Sequence, residues 1–91
     1  MSLDNKGWDS LRNEHSPRIW LIMEDKSYLL RWEDIELISA SADYLTLKLD
    51  LKMGQVVITS TGSLQRLFEE FQLEWVRLID GRKLKIKANF T

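Results

Sequence analysis

Four of the thirteen basic residues, Arg82, Lys83, Lys85 and Lys87, fall close together near the end of the chain, and no acid follows Asp80. Residues 1–80 carry nine basic and fourteen acidic side chains, whereas residues 81–91 carry four basic and none acidic, within a formal net charge of -1. The end of the chain is therefore an electrostatic region of its own. Cations grouped in this way suit contact with phosphates, because each neutralised phosphate releases counterions and adds affinity that depends on salt. Such contacts position a nucleic acid more readily than they choose a sequence. Trp75, shortly before the cluster, offers an aromatic surface for packing or base stacking. The plain alternative for the same lysines is an edge strand guarded against edge-to-edge association.

Other chemistry finds less support in the residue types. Nucleophilic catalysis needs a nucleophile, an adjacent base and a group that orients it. His15 is the single histidine, and it lies in a polar stretch with no periodicity. With one histidine and no cysteine, a zinc site of the usual ligand types is not expected. The acids at Glu24-Asp25, Glu33-Asp34-Glu36 and Glu69-Glu70 read as solvated surface, since neighbours on a strand point to opposite faces and the last pair falls on the polar side of a helical pattern. The glycines stand apart at positions 7, 54, 62 and 81, so no phosphate-binding glycine loop is present. An enzyme is not expected, nor a cofactor or a metal.

The four tryptophans, Trp8, Trp20, Trp32 and Trp75, open a second line. Aromatic side chains are enriched in the buried centres of protein interfaces. Core packing is the first expectation for Trp20 and Trp32. An interface built from Trp8, Leu11, Trp20 and Ile22 is the alternative, with a homodimer as its simplest form. A tryptophan-lined pocket for a small aromatic or cationic compound is a third reading.

These groups must be positioned by a single domain, since 91 residues lie near the common domain size and provide one core. A hydrophobic fraction of 44% with 30% charged residues is that of a globular chain. No segment approaches the roughly 18 apolar residues of a membrane span, and the opening MSLDNKGWDS lacks the apolar run of a secretory signal. A cytoplasmic protein with no membrane partner is expected. Residues 1–17 end at the only proline, Pro17, and read as an arm that is flexible or docks through Trp8 and Leu11. Residues 18–91 form the domain.

Within it, RIWLIM at residues 18–23 is apolar on both faces, as in a strand covered on both sides. SYLLRW, residues 27–32, reads as its hairpin partner, and Glu33-Asp34 as a turn into a strand through Ile35 and Ile38. From Tyr44 to Met53 the pattern alternates without error: Leu45, Leu47, Leu49, Leu51 and Met53 on one face, and Tyr44, Thr46, Lys48, Asp50 and Lys52 on the other. Gly54 then permits a turn into QVVITS. The period changes after Ser63. Leu64, Leu67, Phe68 and Phe71 recur as on one face of a helix, with Ser63 as its cap and Arg66 paired with Glu70 one turn later.

EWVRLIDGRKLKIK, starting at Glu74, has the form of a hairpin around Asp80-Gly81. A three-residue loop keeps Val76 and Leu78 on one face with Leu84 and Ile86, and puts Arg77 with Lys83 and Lys85 on the other. The outer face then presents Trp75, Arg77, Lys83, Lys85 and Lys87, with Arg82 beside them.

From Arg18 to about Lys87 the chain resembles the LytTR family of small β-rich DNA-binding domains, usually found at the end of bacterial response regulators. WEDIELISASADYLTLKL, with Asp34, Ile35, Ile38, Tyr44 and Leu47, is similar to that family's Asp-Ile turn and Tyr-centred strand. GSLQRLFEEF is similar to its Ser-Leu-led helix, and WVRL to the start of the strand carrying its arginine, here Arg77. Where the family has a His-Arg-Ser stretch, this chain has Ile79, Asp80 and Gly81, with Lys85 near an Asn position. A carboxylate at Asp80 is expected to repel a phosphate. The strand and helix patterns together predict an α+β domain, a mainly antiparallel sheet of six or seven strands with one helix at about 63–73 before a C-terminal hairpin. The resemblance, taken with the basic end of the chain, points to binding of DNA or RNA backbone, to which an oligomeric adaptor remains the alternative.

Overall fold

Alternating residues in this chain build two sheets. The computed structural model describes residues 6–90. In chain order they form β1 (Trp8–Ser10), β2 (Ile19–Ile22), β3 (Ser27–Leu30), a single 3-10 turn at Trp32–Asp34, β4 (Ile35–Ala40), β5 (Thr46–Leu51), β6 (Gly54–Thr59), α1 (Gln65–Gln72), β7 (Val76–Asp80) and β8 (Lys85–Phe90). The fold is α+β. One sheet has the order β1-β7-β2-β3 and the other β4-β5-β6-β8. Every pairing is antiparallel except β2 with β7. That parallel pair follows from the helical crossover before β7, since parallel neighbours need a long connection.

The alternation in β5 sets the register of the second sheet. Leu47 lies opposite Ile58 and Leu49 opposite Val56, all four fully buried, while Thr46, Lys48 and Asp50 take the other face. Ile19, Leu21, Val76 and Ile79 of the first sheet join them, and Leu64, Leu67 and Phe71 complete one continuous core. Tyr28 on β3 meets Phe90 on β8 edge to face, with ring centroids 4.8 Å apart, and links the two sheets at one margin. Gly54 is required here: a Cβ on it would lie 2.1 Å from the Asn89 carbonyl oxygen of β8.

The helix forms within the expected span, but its N-cap is Leu64, which makes no side-chain cap bond, and not Ser63. Ser63 Oγ accepts from the Gln65 amide at 3.1 Å, and Arg66 Nε donates to Glu70 Oε2 at 3.2 Å. Its end is closed by backbone bonds from Glu74 N to Phe71 O (3.1 Å) and from Trp75 N to Glu70 O (3.1 Å), the double bond of a Schellman motif. Glu74, at φ 59°, occupies the left-handed position that such a motif usually gives to glycine.

Four further expectations are corrected. The arm, expected to be flexible or to dock through Trp8 and Leu11, docks and adds a strand: Trp8 is 5% exposed, opposite Ile79, and its indole donates to Glu70 Oε1 at 3.0 Å. Trp8 is therefore a core residue and does not line an outer interface. Tyr44 and Met53 lie outside β5. Tyr44 sits in the turn before it at φ 58°, where its amide donates to Ser41 O and its carbonyl accepts from Leu64 N at 2.7 Å. Trp20 and Ile22 are not covered as RIWLIM suggests, Trp20 being 42% exposed and Ile22 half-buried. Finally, β7 and β8 do not form a hairpin. β7 pairs with β1 and β2, and β8 with β6. Gly81 N donates to Ile22 O at 2.6 Å, and a Cβ on Gly81 would stand 2.5 Å from that oxygen. The bend at Asp80-Gly81 thus carries the chain from one sheet to the other.

Candidate nucleic-acid interface

With the hairpin gone, the five expected cations and Trp75 are dispersed. Trp75 precedes β7, and its carbonyl accepts from Leu11 N at 2.8 Å, a whole strand away from the bend that leads to β8. Arg77 belongs to the first sheet and donates through Nε to Asp9 Oδ2 at 2.8 Å. Arg82 folds back on Asp80, Nε to Oδ1 at 2.9 Å and Nη2 to Oδ2 at 3.1 Å. Both arginines thus have carboxylate partners.

Asp80 is 1% exposed and also accepts from the Arg82 amide at 2.9 Å. The hydrogen bond from the Arg82 side chain holds its carboxyl below the ordinary aspartate range, against the opposing effect of burial. Asp80 therefore faces no incoming phosphate. It secures the crossover, and the repulsion expected from its charge is cancelled by Arg82.

Lys85 and Lys87 do share a face. In β8 they alternate with half-buried Ile86 and Ala88, and both are exposed. The pairing registers extend that face across the whole sheet. One transverse row runs Ser39, Lys48, Val57, Lys87, and the next runs Thr46, Thr59, Lys85. Neither row contains an acid. A third row, Leu37, Asp50, Gln55, Asn89, bounds them, and Gln55 Nε2 donates to Asp50 Oδ1 there at 2.9 Å. Lys48, which no hairpin argument singles out, was findable from the strict alternation in β5 but not assignable to a neighbour before the strand order was known.

The outer face of the first sheet is different. Its central row runs Asp9, Leu78, Trp20, Leu29. Leu29 is 66% exposed and Trp20 42%, with Leu78 buried beneath them at 4%. Of the expected interface residues, Trp20 and Ile22 lie on this side, Leu11 is half-buried after β1, and Trp8 is in the core. Leu29 and Leu78 join the patch through pairing that only the fold provides.

Glu70, read from sequence as solvated, holds β1 to the helix. Besides Trp8, Ser10 Oγ donates to its Oε1 at 2.6 Å. Burial pushes its carboxyl up, but the bonds from Ser10, Trp8 and Arg66 together outweigh that and hold it below the ordinary glutamate value. His15 is exposed. Among the described residues no group of three or more His, Cys, Asp or Glu side chains is placed to hold a metal ion, and no helix is long and apolar enough to cross a membrane.

Comparison of the chain with protein-family models, curated proteins and solved structures gives no match.

Proposed function

We propose that the chain is a non-enzymatic binding module that contacts nucleic-acid backbone through the outer face of β5, β6 and β8, in the manner of the LytTR-like domains its motifs resemble. The observation that carries this reading is the place of Lys48. Guarding of an edge accounts for lysines on β8, an edge strand. It does not account for Lys48 on an interior strand, in one row with Lys87 and facing the same way. Lys48, Lys85 and Lys87 are three exposed cations on a surface whose neighbouring side chains are Thr, Ser and Val. Such a surface suits phosphates and offers nothing that reads base edges, so binding is expected to be sequence-tolerant.

The test is a titration of duplex and single-stranded DNA at two salt concentrations. Binding should weaken as salt rises, with a slope that reflects two to three phosphate contacts at roughly 0.7–0.9 per contact. No binding at low salt, or a slope indifferent to charge reversal at Lys85 and Lys87, removes the reading.

The exposed cross-strand pair Trp20 and Leu29 supports a second reading, a protein-interaction or homo-oligomeric adaptor. Exposed apolar side chains in register on one sheet face mark contact surfaces more often than isolated ones do. Light scattering of the full chain and of a Trp20→Ser, Leu29→Ser variant tests it. A dimer lost in the variant supports the adaptor, and a monomer in both argues against self-association through this face.

A further inference from the structure

The lysine face ends in a recess. Beyond β6 the chain runs Ser60, Thr61, Gly62, Ser63 before entering the helix. A depression of about 240 Å³ there is lined by Thr59, Ser60, Thr61, Lys83 and Lys85. Thr59 and Lys85 are direct partners across β6 and β8, both exposed. The loop is held at both ends: Ser60 N donates to Leu45 O at 3.0 Å and Leu64 N to Tyr44 O at 2.7 Å. Ser60 Oγ accepts the Gly62 amide at 3.1 Å, which leaves its own proton to donate. Among the described residues, the hydroxyls of Thr59 and Thr61 make no hydrogen bond, and the Lys85 ammonium makes no ion pair.

Every side chain lining this recess can donate a hydrogen bond, and none is a carboxylate. Glu24 and Asp25 line another depression that Lys85 also borders and form no ion pair with it. Hydroxyls and the Lys85 ammonium bordering one recess without an acid suit a tetrahedral oxyanion, whose several oxygens can take up donors from several directions. Two residues further along β8, about 7 Å away at the rise of a strand, stands Lys87. That separation is on the scale of successive phosphates in an extended nucleic-acid strand.

We infer that the recess is a phosphate subsite, in which Lys85 and the hydroxyls of Thr59, Ser60 and Thr61 hold one phosphate group of a strand whose next phosphate meets Lys87. The strand itself rests on the nucleic-acid reading above, whereas the subsite can be tested without it.

Two titrations of the full chain keep them apart. In the first, inorganic phosphate replaces chloride at constant ionic strength while amide shifts are followed by NMR. Saturable shifts confined to residues 59–62 and 83–85 are expected, weakened by Thr59→Val with Thr61→Ala. Shifts that grow linearly and spread equally to Lys48, Lys52 and Lys87 overturn the subsite. In the second, oligothymidylate is titrated at low salt. The Thr59→Val, Thr61→Ala variant should bind about three- to tenfold more weakly, as loss of neutral donors implies, with an unchanged salt slope. Lys85→Gln should lower that slope by about one contact's share. If phosphate saturates the recess but oligothymidylate does not bind, the subsite stands and the nucleic-acid reading fails. If oligothymidylate binds the hydroxyl variant as tightly as the parent, the nucleic-acid reading stands and the subsite fails. Valine keeps the branched β-carbon of Thr59, so the strand is preserved.

Discussion

The two outward sheet faces of this molecule handle charge in opposite ways. On the first sheet the cation Arg77 is matched by Asp9, and the middle of the face is apolar, Leu78, Trp20 and Leu29 in one row. On the second sheet Lys48, Lys85 and Lys87 are spread over two rows without an acid between them. A pair such as Arg77 with Asp9 contributes modestly to stability and presents little net field to a distant anion. Lysines without partners contribute little to folding and retain their field for a ligand. Counting basic residues along the chain therefore overstates the attraction of the first sheet and understates that of the second, where Lys48 sits far from the cluster in sequence.

Several measurements break or sharpen this contrast. The largest effect should come from removing what both faces share. Phe71, 2% exposed at the meeting of helix and sheets, stacks edge to face on Trp32 at 6.1 Å. Phe71→Ala should cost about 3–5 kcal/mol in chemical denaturation and impair both faces together; a loss confined to one would contradict a single core.

Next in size is charge reversal on one face only. Lys85→Glu with Lys87→Glu should reduce affinity for single-stranded DNA at low salt by well over tenfold, since each contact replaced by a repulsion acts on a steep salt-dependent term. Unfolding should move by no more than about 0.5 kcal/mol, as for ordinary surface changes. Trp20→Ser with Leu29→Ser should do the converse, leaving DNA affinity alone. Equal losses in both variants would mean that the faces are not separate sites.

Acid should act on the carboxylates that fasten the first sheet. Glu70 and Asp80 are held below their ordinary values in the folded chain, so the unfolded chain binds protons first as pH falls. Their stabilisation is complete above the unfolded values near 4 and is lost as pH drops through the folded ones. Urea midpoints should be level from about pH 7 to 5 and decline below about pH 4, and Glu70→Gln should make that decline shallower. Hydrogen exchange at low pH should show β1, which Glu70 fastens through Trp8 and Ser10, losing protection before β5. The smallest effect belongs to Glu74, whose φ of 59° suits glycine. Glu74→Gly should raise stability by about 1 kcal/mol, by relieving left-handed strain, with neither face altered.

Local patterns were legible. Although Leu64 and not Ser63 caps the helix, the alternation at Leu47, Leu49 and Leu51 and the helical spacing of Leu67 and Phe71 appear where the sequence puts them. So does the pairing of Arg66 with Glu70. The lysines of β8 also alternate outward as their spacing requires. Asp80-Gly81 misled because the dipeptide permits a hairpin turn but does not demand one. Here the same glycine serves the close approach of Ile22 O, and the same aspartate anchors Arg82.

The amino-acid order by itself determined which residues turn inward and which outward along each strand and along the helix, because those periods are set by the geometry of a few consecutive residues. Only the tertiary structure decided the partners: β7 beside β2 and β8 beside β6, Trp8 beneath the first sheet, Lys48 in line with Lys87. Strand pairing joins residues far apart in the chain, and its outcome depends on how all the apolar faces are covered at once, which no short stretch of sequence records.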